Sequence, residues 1–459
     1  MSKGAFGRIW SGLQAQGGAQ LVQMGIRFVE VPLFLNFWGA ELYGHWLILF
    51  ALPAYFSLAD LGFNGVAARE MAMLVARGEH QKTLQIFQSL ALIVFALATV
   101  LLLFVILLSG VLSSVFFQDA GFDTGKVMIF LAFYVWFRLQ IGSLYSAFYS
   151  QGYYAYGVVL MSFLQAGEFV MVVAALALGG DTIQLSQVYA LVAGGGYLVV
   201  RIILHAKLPL FRYGTSNFRW SLIRRLSKPA LAALAFPVGF AMSQQGMRLV
   251  VGLISGPASV TLFVASRTLT GLATRLHDAF GQTLEPEYAR AHGGDDRATM
   301  QKLLLLGTQA TFWMSIVILG GLWVFGEPFF RHWTAGRIGF NRGLFVLLLA
   351  VSFVNAIWFN VMKVAYATNR HTKAAVIFFV SYTIACFAAI PLTYTLGIIG
   401  AALALLFTEF VITFYVVPPS LRLVNLDARS WILAIIKPPK GELVHLMRVV
   451  FGKKNSSGH

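Results

Sequence analysis

Residues 90–108, LALIVFALATVLLLFVILL, form an apolar run of 19 residues without a charged side chain. About 18–20 such residues are enough to cross the hydrocarbon core of a bilayer as an α-helix. Comparable runs occur at 303–325 and 374–396. Membrane-spanning β-strands would alternate apolar and polar residues instead. The runs therefore predict membrane-spanning helices.

The composition of the whole chain agrees with this prediction. The 459 residues are 58% hydrophobic and 11% charged, with a mean hydropathy of +0.75, whereas soluble domains have about 25% charged residues. Cys386 is the single cysteine, which excludes an intrachain disulfide and a cysteine metal site. The sequence also lacks His-Glu-x-x-His and a phosphate-binding Gly-x4-Gly-Lys loop. We predict an all-α polytopic membrane protein without a metal or another cofactor.

Hydropathy predicts about twelve spans, and the basic residues predict their orientation. The predicted spans are 9–36, 43–68, 84–112, 127–150, 155–179, 186–206, 229–254, 259–283, 303–326, 343–366, 373–394 and 398–420. Of 34 lysines and arginines, 24 fall on the side of the N-terminus, counting Arg201 and Lys373 at the ends of their spans; four fall on the opposite side and six lie deeper within spans. By the positive-inside rule both termini are expected in the cytoplasm. Most of the +16 charge then reflects topology, and nucleic acid is not expected as a partner.

A sequence pattern recurs in the two halves of the chain. QMGIRFV at 23–29 corresponds to QQGMRLV at 244–250, displaced by 221 positions. The short polar connections YSQG at 149–152 and ATNR at 367–370 are 218 positions apart. Offsets that agree within one helical turn indicate two six-helix bundles in a parallel repeat, related by a pseudo-two-fold axis along the membrane normal.

This repeat predicts four regions in the chain. They are an N-terminal six-helix bundle at 1–206, a basic cytoplasmic linker at 207–228, a C-terminal six-helix bundle at 229–420 and a basic cytoplasmic tail at 421–459. Within the linker, 220–226 is interpreted either as an amphipathic helix on the inner leaflet or as a plain connection that fixes topology. In the tail, 431–436 is too short to span the membrane.

Polar residues form a stripe along the first span. Gln16, Gln20, Gln23, Arg27 and Glu30 are spaced by four, three, four and three positions, so they share one helix face. An arginine at the bilayer centre costs about 2.5–3.5 kcal/mol on insertion scales. We interpret the stripe as lining a water-filled cavity that receives an anion. The alternative is a buried helix–helix contact held together by the amides.

Three further stretches carry a resemblance to a known family. Residues 35–44, ADLG at 59–62 followed by Arg69-Glu70, and LGIIGAAL at 396–403 before Glu409 resemble the O-antigen and teichoic-acid type polysaccharide flippases of bacteria. These belong to the multidrug/oligosaccharidyl-lipid/polysaccharide exporter superfamily. The resemblance implies an inner-membrane transporter that moves an undecaprenyl-pyrophosphate-linked oligosaccharide to the periplasmic leaflet. It also implies alternating access through a cationic cavity, in exchange for protons or sodium.

The cations within the predicted spans are the candidate ligands of the pyrophosphate. Arginine predominates, and its planar guanidinium can bind two phosphate oxygens at once. Arg27 and Arg248 occupy equivalent positions in the repeat, together with Gln23 and Gln244 of the same pattern. Arg138 and Arg275 could instead extend to a membrane interface. The candidate substrate ligands are Gln23, Arg27, Arg138, Gln244, Arg248, Arg267, Arg275 and Lys363.

Carboxylates within the spans are either counter-ions of these arginines or sites for a coupling ion. We predict coupling by a proton or sodium through Glu30 or Asp60, with Glu168 and Asp278 as further candidates; Glu409 is also within a span. Amide and aromatic residues are expected to contact the sugars. The candidates for sugar contact are Gln16, Gln20, Tyr145, Tyr149, Asn355 and Asn360.

Two alternative functions remain open at this stage. A cation-coupled multidrug extruder of the same superfamily would favour an acidic cavity, whereas six basic and five acidic groups lie within spans. An integral-membrane polysaccharide polymerase or ligase needs a large external loop, but the largest external connections are only about 110–126 and 327–342. We therefore expect a transporter and not an enzyme. Its expected partners are the lipid-linked oligosaccharide, membrane lipids, and a polysaccharide polymerase or glycosyltransferases.

Overall fold

A computed structural model of the chain describes residues 3–116, 120–293, 296–367 and 372–437, and these residues form helices joined by short connections. By internal packing the chain divides into two compact units, Met1–Thr261 and Leu262–His459. The helices up to the boundary are α1 Lys3–Leu49, α2 Ala51–Phe56, a 3-10 turn Ser57–Asp60, α3 Phe63–Ala76, α4 His80–Phe116, α5 Thr124–Ser150, α6 Tyr154–Ala177, α7 Thr182–Lys207, α8 Trp220–Ala233, α9 Ala235–Ala241, a π-helical segment Met242–Gly246 and α10 Met247–Ser255. The remaining helices are α11 Pro257–Gly293, α12 Arg297–Trp333, α13 Arg342–Ala367, α14 Thr372–Leu396, α15 Ile398–Arg422 and α16 Ala428–Ile436.

Nine helices in the described part of the chain are long and apolar enough to cross a membrane, and α8 with the following helices forms a tenth, bent span. One of the nine covers 14–75 with 62 residues. At 1.5 Å per residue it would be about 90 Å long, about three times the hydrocarbon thickness, so it must represent two crossings. The 37-residue helix α11 is also long enough to span, although its charged residues lower its hydropathy. The predicted total of twelve spans stays a prediction.

The first two spans are separated at Gly39, inside the connection between the predicted spans 9–36 and 43–68. Gly39 has φ 72° and ψ −179°, a left-handed conformation that glycine adopts without the steric cost of a side chain. The adjacent Trp38 donates its indole N–H to the carbonyl of Gly180 at 3.1 Å, which fixes the break to the turn between α6 and α7. The connection predicted between these two spans is therefore present as a sharp break within α1.

The predicted span at 43–68 is not one continuous helix. The span is interrupted by the 3-10 turn and by two left-handed residues, Leu61 at φ 49° and Gly62 at φ 75°. The carboxylate of Asp60 accepts the backbone N–H of Gly62 at 3.1 Å, which stabilises the turn. Hydropathy did not reveal the break because the residues around it are as apolar as those of an unbroken span.

Helix α5 lies at the centre of the first unit and packs against α3, α4 and α7. Its N-terminus is capped by Asp123, which accepts the N–H of Lys126 at 3.0 Å. Ser143 donates to the side chain of Asn64, and Ser146 donates to the Asn64 carbonyl, both at 3.1 Å. These bonds hold α3 against α5 immediately after the break in the second span.

The basic segment after α7 is bound to the first unit. Gln88 of α4 donates to the carbonyl of Arg212 at 2.9 Å and accepts the N–H of Asn217 at 3.0 Å. Helix α8 then packs on α3 and α4, with Arg225 paired to Glu70 at 2.7 Å. The predicted amphipathic helix at 220–226 is thus the first part of α8. The domain boundaries given above stay a prediction, whereas packing places α8–α10 with the N-terminal helices.

In the second unit α15 packs against both α13 and α14. The predicted surface helix at 431–436 is part of α16, which packs on α12 through Trp431 and Ile435. The indole of Trp313 donates to the carbonyl of Lys437 at 3.0 Å at the end of this contact. The tail beyond 437 and the polar connection at 368–370 lie outside the described residues.

Candidate functional site

Both arginines of the repeated pattern interact electrostatically with one carboxylate in the first unit. Arg27 and Glu30 are three residues apart on α1, and Arg248 lies on α10, which packs against α1. Glu30 interacts electrostatically with Arg248 and with Arg27. The sequence predicted that both arginines have the same role but not that they share a counter-ion.

Arg27 is accessible to solvent although protein atoms surround it on most sides. Such surroundings are typical of a side chain in a cleft. Gln23, one turn before it, and Gln244 are half-buried. At the other end of the stripe, Tyr154 of α6 donates to Gln16 at 3.3 Å. The stripe is therefore a helix–helix contact at one end and a charged cluster at the other, and the predicted water-filled cavity stays a prediction.

A change in helical winding precedes Arg248. Residues Met242–Gly246 form a π-helical segment, and Arg248 follows it by two positions. Single π turns often mark functional sites because the inserted residue re-orients the side chains around it. Within this segment the buried Oε1 atom of Gln245 has no hydrogen-bond partner among the described residues. The corresponding residues of α1 are α-helical, so the repeat in sequence is not exact in structure.

A second charged pair adjoins the first. Tyr134 donates its hydroxyl to Glu168 at 3.2 Å, and the guanidinium carbon of Arg138 lies 5.9 Å from the centre of the Tyr134 ring. Arg138 and Glu168 interact electrostatically. Tyr189 packs edge-on against Tyr134, with ring centres 5.4 Å apart, and interacts electrostatically with Glu30 as well as Glu168.

Together these groups form the unit 1 cluster: Arg27, Glu30, Arg138, Glu168 and Arg248. With all of its groups charged, the cluster carries three positive and two negative charges. Five charged groups at membrane depth are costly unless they are paired or reach water. The cluster therefore combines internal neutralisation with an excess positive charge that an anion can satisfy.

Asp60 is placed differently from the other candidate carboxylates. It belongs to the turn that interrupts the second span, where it accepts the N–H of Gly62 and also hydrogen-bonds with Asn64. The structure thus gives Asp60 a clear role in shaping the backbone. Its predicted role in ion coupling stays a prediction.

The second unit contains a buried carboxylate with several donors. Glu409 is 2% exposed and accepts hydrogen bonds from Tyr382 at 2.5 Å, Trp358 at 2.7 Å and Asn355 at 3.3 Å. Arg267, a predicted substrate ligand, interacts electrostatically with it. Glu409 was not among the predicted coupling residues, although the sequence shows it as a single glutamate within an apolar span.

The other candidates of the second unit lie on α11 and α13. Lys363 Nζ is 3.9 Å from Asp278 Oδ1, so a predicted substrate ligand and a predicted coupling residue form one pair. Arg275 is half-buried three residues before Asp278. Asn355, a candidate for sugar contact, instead binds Glu409 through its amide nitrogen.

Comparison with solved structures identifies the fold. The chain superimposes on the inward-facing conformation of a multidrug resistance MATE family transporter of the MOP superfamily with a TM-score of 0.69, at 10% identity, over 88% of this chain and 94% of that one. It matches the inward closed conformation of the lipid II flippase MurJ with a TM-score of 0.63, at 14% identity, over 95% of both chains.

A MOP superfamily transporter from Pyrococcus furiosus gives a TM-score of 0.58 at 11% identity, over 91% of this chain and 94% of that one. No protein-family model and no curated protein sequence matches the chain. Identities this low establish the fold and leave the substrate open. The chain therefore has the all-helical, polytopic membrane fold of the MOP superfamily transporters.

Proposed function

We propose that the protein is a flippase for an undecaprenyl-pyrophosphate-linked oligosaccharide of bacterial polysaccharide synthesis, such as O-antigen. It would move this lipid from the cytoplasmic to the periplasmic leaflet of the inner membrane by alternating access, with both termini in the cytoplasm. The observation that carries the proposal is the convergence of Arg27 and Arg248 on Glu30 at membrane depth.

The chemistry of the headgroup fits this cluster. A pyrophosphate brings at least two negative charges, and their desolvation in hydrocarbon is prohibitive without charged partners. Arginine binds phosphate oxygens in a bidentate geometry. When the site is empty, Glu30 offsets the repulsion between the two guanidinium groups. When the headgroup enters, its phosphates take over that role, and Glu30 becomes available to a proton or a sodium ion.

The other candidates have secondary roles in this proposal. Arg138, Gln23 and Gln244 would contact the headgroup or the first sugars, and Arg267, Arg275 and Lys363 would provide cations in the second unit. Glu168, Asp60 and Asp278 are the further candidates for ion coupling. A polysaccharide polymerase or glycosyltransferases would act on the same lipid before or after translocation.

A cation-coupled multidrug extruder is the second candidate function. It is favoured by the fold match to the multidrug resistance transporter. Such a protein would bind lipophilic cations, whereas the unit 1 cluster has an excess of arginine. Efflux of a cationic dye from cells that contain the protein, unaffected by a pyrophosphate-linked lipid, would favour the extruder.

The test of the main proposal is the position of the lipid-linked sugar after gene deletion in the native host. Accumulation in the cytoplasmic leaflet together with loss of polymer is expected of a missing flippase. Accumulation of unpolymerised units on the periplasmic side would indicate a polymerase or ligase, and would refute the proposal. Coupling is tested separately in proteoliposomes, where transport that ignores imposed pH and sodium gradients would exclude it.

Substitutions in the arginine pair connect this function to the cluster. Losing one partner of a buried charged contact costs about 2–5 kcal/mol, so Arg27→Ala and Arg248→Ala should each reduce polymer export at least tenfold at normal protein levels. Arg331→Ala is the matched control, because Arg331 pairs with Glu327 at an exposed site. Wild-type export by an Arg27→Ala/Arg248→Ala protein would contradict the role assigned to the pair.

A further inference from the structure

Helix α16 is attached along one side to the membrane-spanning helix α12. Trp431 and Ile435 are buried where the two helices pack, and the Trp431 indole N–H donates to the Thr308 hydroxyl at 3.3 Å. Trp313 donates its indole N–H to the Lys437 carbonyl at 3.0 Å. These contacts fix the position of α16 along the length of α12.

The residues of α12 that hold α16 lie inside an apolar run. This run, 303–325, has no charged residue, and it belongs to a helix that is long and apolar enough to cross a membrane. Thr308 and Trp313 follow the start of the run by about 8 Å and about 15 Å, at 1.5 Å per residue. Because the hydrocarbon core is about 30 Å thick, α16 lies beside the first half of the span.

The carbonyl groups at the end of α16 receive hydrogen bonds from α12. The last carbonyls of a helix have no partner within the helix, and hydrocarbon offers none. Gln309 donates its side-chain amide to the carbonyl of Ala434 at 3.4 Å and to that of Lys437, which also accepts the bond from Trp313. The end of α16 therefore has protein donors, as a helix end surrounded by lipid requires.

The opposite face of α16 is apolar and exposed. Ile432, Leu433 and Ile436 are 45%, 55% and 53% exposed, and their spacing places them on one side of the helix. Helix α12 continues this apolar surface, since Val317 is also exposed and lies one turn after Trp313 on the same side. An exposed apolar patch favours a protein partner or a membrane. The depth of α16 beside the span favours lipid.

A cation lies at one end of the exposed face. Arg429 is exposed and precedes Ile432, Leu433 and Ile436 by three, four and seven positions, the spacing of a single helix face. It also precedes Trp431 by two positions. Because α16 runs from the level of Thr308 towards that of Trp313, Arg429 is near the level at which the apolar run begins. The guanidinium group is therefore at the depth of lipid headgroups, where it can bind phosphate oxygens.

We propose that α16 is embedded in the lipid leaflet beside the start of the α12 span, and that Arg429 binds the phosphate of an anionic phospholipid. In the predicted topology this is the cytoplasmic leaflet. Ile432, Leu433 and Ile436 contact its acyl chains. Lys437 is exposed at the deeper end of the helix, and its long side chain extends towards the headgroups. The inference goes beyond the proposed function, because it holds whichever substrate is transported.

The first experiment measures the surroundings of a nitrobenzoxadiazole label on single cysteines of the full-length protein, with Cys386 replaced by alanine. The label is placed on Leu433→Cys, on Val317→Cys as the lipid-facing reference, and on Ala298→Cys as the aqueous reference. Ala298 is exposed on α12 before the apolar run. The proteins are reconstituted in phosphatidylcholine vesicles that contain phosphatidylcholine with a doxyl quencher on its acyl chain. We expect the label at position 433 to be quenched as strongly as the label at position 317.

Two results would overturn the proposed embedding. Quenching at position 433 that is no stronger than at position 298 would show that water surrounds the helix. Weak quenching that increases when the protein is diluted with lipid would show that a second copy of the chain covers this face. If Leu433→Cys fails to fold, Ile436→Cys is labelled instead, with the same expected result.

The second experiment tests the role of Arg429. At the label on position 433, quenching by doxyl-labelled phosphatidylglycerol is compared with quenching by doxyl-labelled phosphatidylcholine, which gives the relative binding constant of the two lipids beside α16. Arg429→Gln should lower the preference for phosphatidylglycerol about fivefold, the effect of about 1 kcal/mol for one cation near an anionic surface. Arg429→Lys keeps the charge and should retain most of the preference.

Arg331→Gln is the matched control for this experiment. Arg331 is exposed and pairs with Glu327 near the other end of α12, so its loss should leave the lipid preference beside α16 unchanged. A preference for phosphatidylglycerol that is the same in Arg429→Gln as in the parent protein would overturn the assignment of the phosphate to Arg429.

Discussion

Replacing Glu409 should destabilise the second unit by an amount that depends on what the substitution removes. Glu409→Leu keeps the approximate volume but leaves three donors without an acceptor, those of Asn355, Trp358 and Tyr382. It also removes the negative charge near Arg267. Glu409→Gln removes the charge but keeps an oxygen that accepts hydrogen bonds.

The magnitudes follow from these contacts. Each orphaned buried donor costs about 1–3 kcal/mol, and a broken buried charge pair costs about 3–5 kcal/mol. These terms are not additive, because the same groups relax together. We expect Glu409→Leu to lower the free energy of unfolding by about 4–8 kcal/mol, and Glu409→Gln to lower it by about 2–4 kcal/mol, mostly through the lost attraction between the carboxylate and Arg267.

The assay is denaturant unfolding in mixed micelles, extended to a double-mutant cycle with Arg267→Gln. Once Arg267 is neutral, loss of the carboxylate charge should cost less, so the double variant should be more stable than the sum of the single effects by about 1–3 kcal/mol. Glu41→Gln, at an exposed position, should change stability by less than about 0.5 kcal/mol. Additive effects at Glu409 and Arg267, or a change below about 1 kcal/mol for Glu409→Leu, would refute this reasoning.

Two further predictions concern the backbone and a helix cap. Gly44→Ala should prevent accumulation of folded protein, because the added Cβ atom would overlap the carbonyl oxygen of Pro257. Gly25→Ala is the control, because its added Cβ atom would meet nothing within 4 Å. In size-exclusion chromatography only the Gly25→Ala protein should elute normally. Asp427 caps α16, and hydrogen bonding by the N–H of Ser430 holds its pKa below the ordinary value. The carboxylate therefore supports α16 above the unfolded pKa of about 3.9, and this support is lost as the pH falls through the lower folded value. Backbone hydrogen exchange of residues 428–436 should become faster below about pH 4 in the wild type. It should not do so in Asp427→Asn, because the neutral amide of asparagine also caps a helix. Equal pH dependence of the two proteins would contradict this prediction.

The sequence predicted the all-helical membrane class and the connection near Gly39 because each depends on hydropathy or on a local backbone preference. The break at Asp60–Gly62 was missed for a physical reason. The residues on both sides of Asp60 are mostly apolar, and a carboxylate that bonds to the backbone two residues later resembles, in sequence, one that faces a cavity.

The sequence identifies candidate residues for the site but not their pairing. Burial of charge in a membrane is costly enough to be visible in sequence, so Arg27, Arg248 and Lys363 could be chosen as candidates. Which carboxylate meets which cation depends on helix packing and on helix rotation. The partners of Glu409 in particular come from three helices that are distant in sequence, and no local pattern connects them.

The winding of the π-helical segment before Arg248 determines the direction in which the Arg248 guanidinium points around the helix axis. Each residue of an α-helix advances the direction of its side chain by about 100°, and a π turn accommodates one residue more than an α turn. If the same residues Met242–Gly246 wound as regular α-helix, the guanidinium downstream would therefore rotate about the helix axis. Hydropathy, length and charge are identical for the two windings. What would change is the direction in which the Arg248 side chain points, and with it the electrostatic interaction with Glu30.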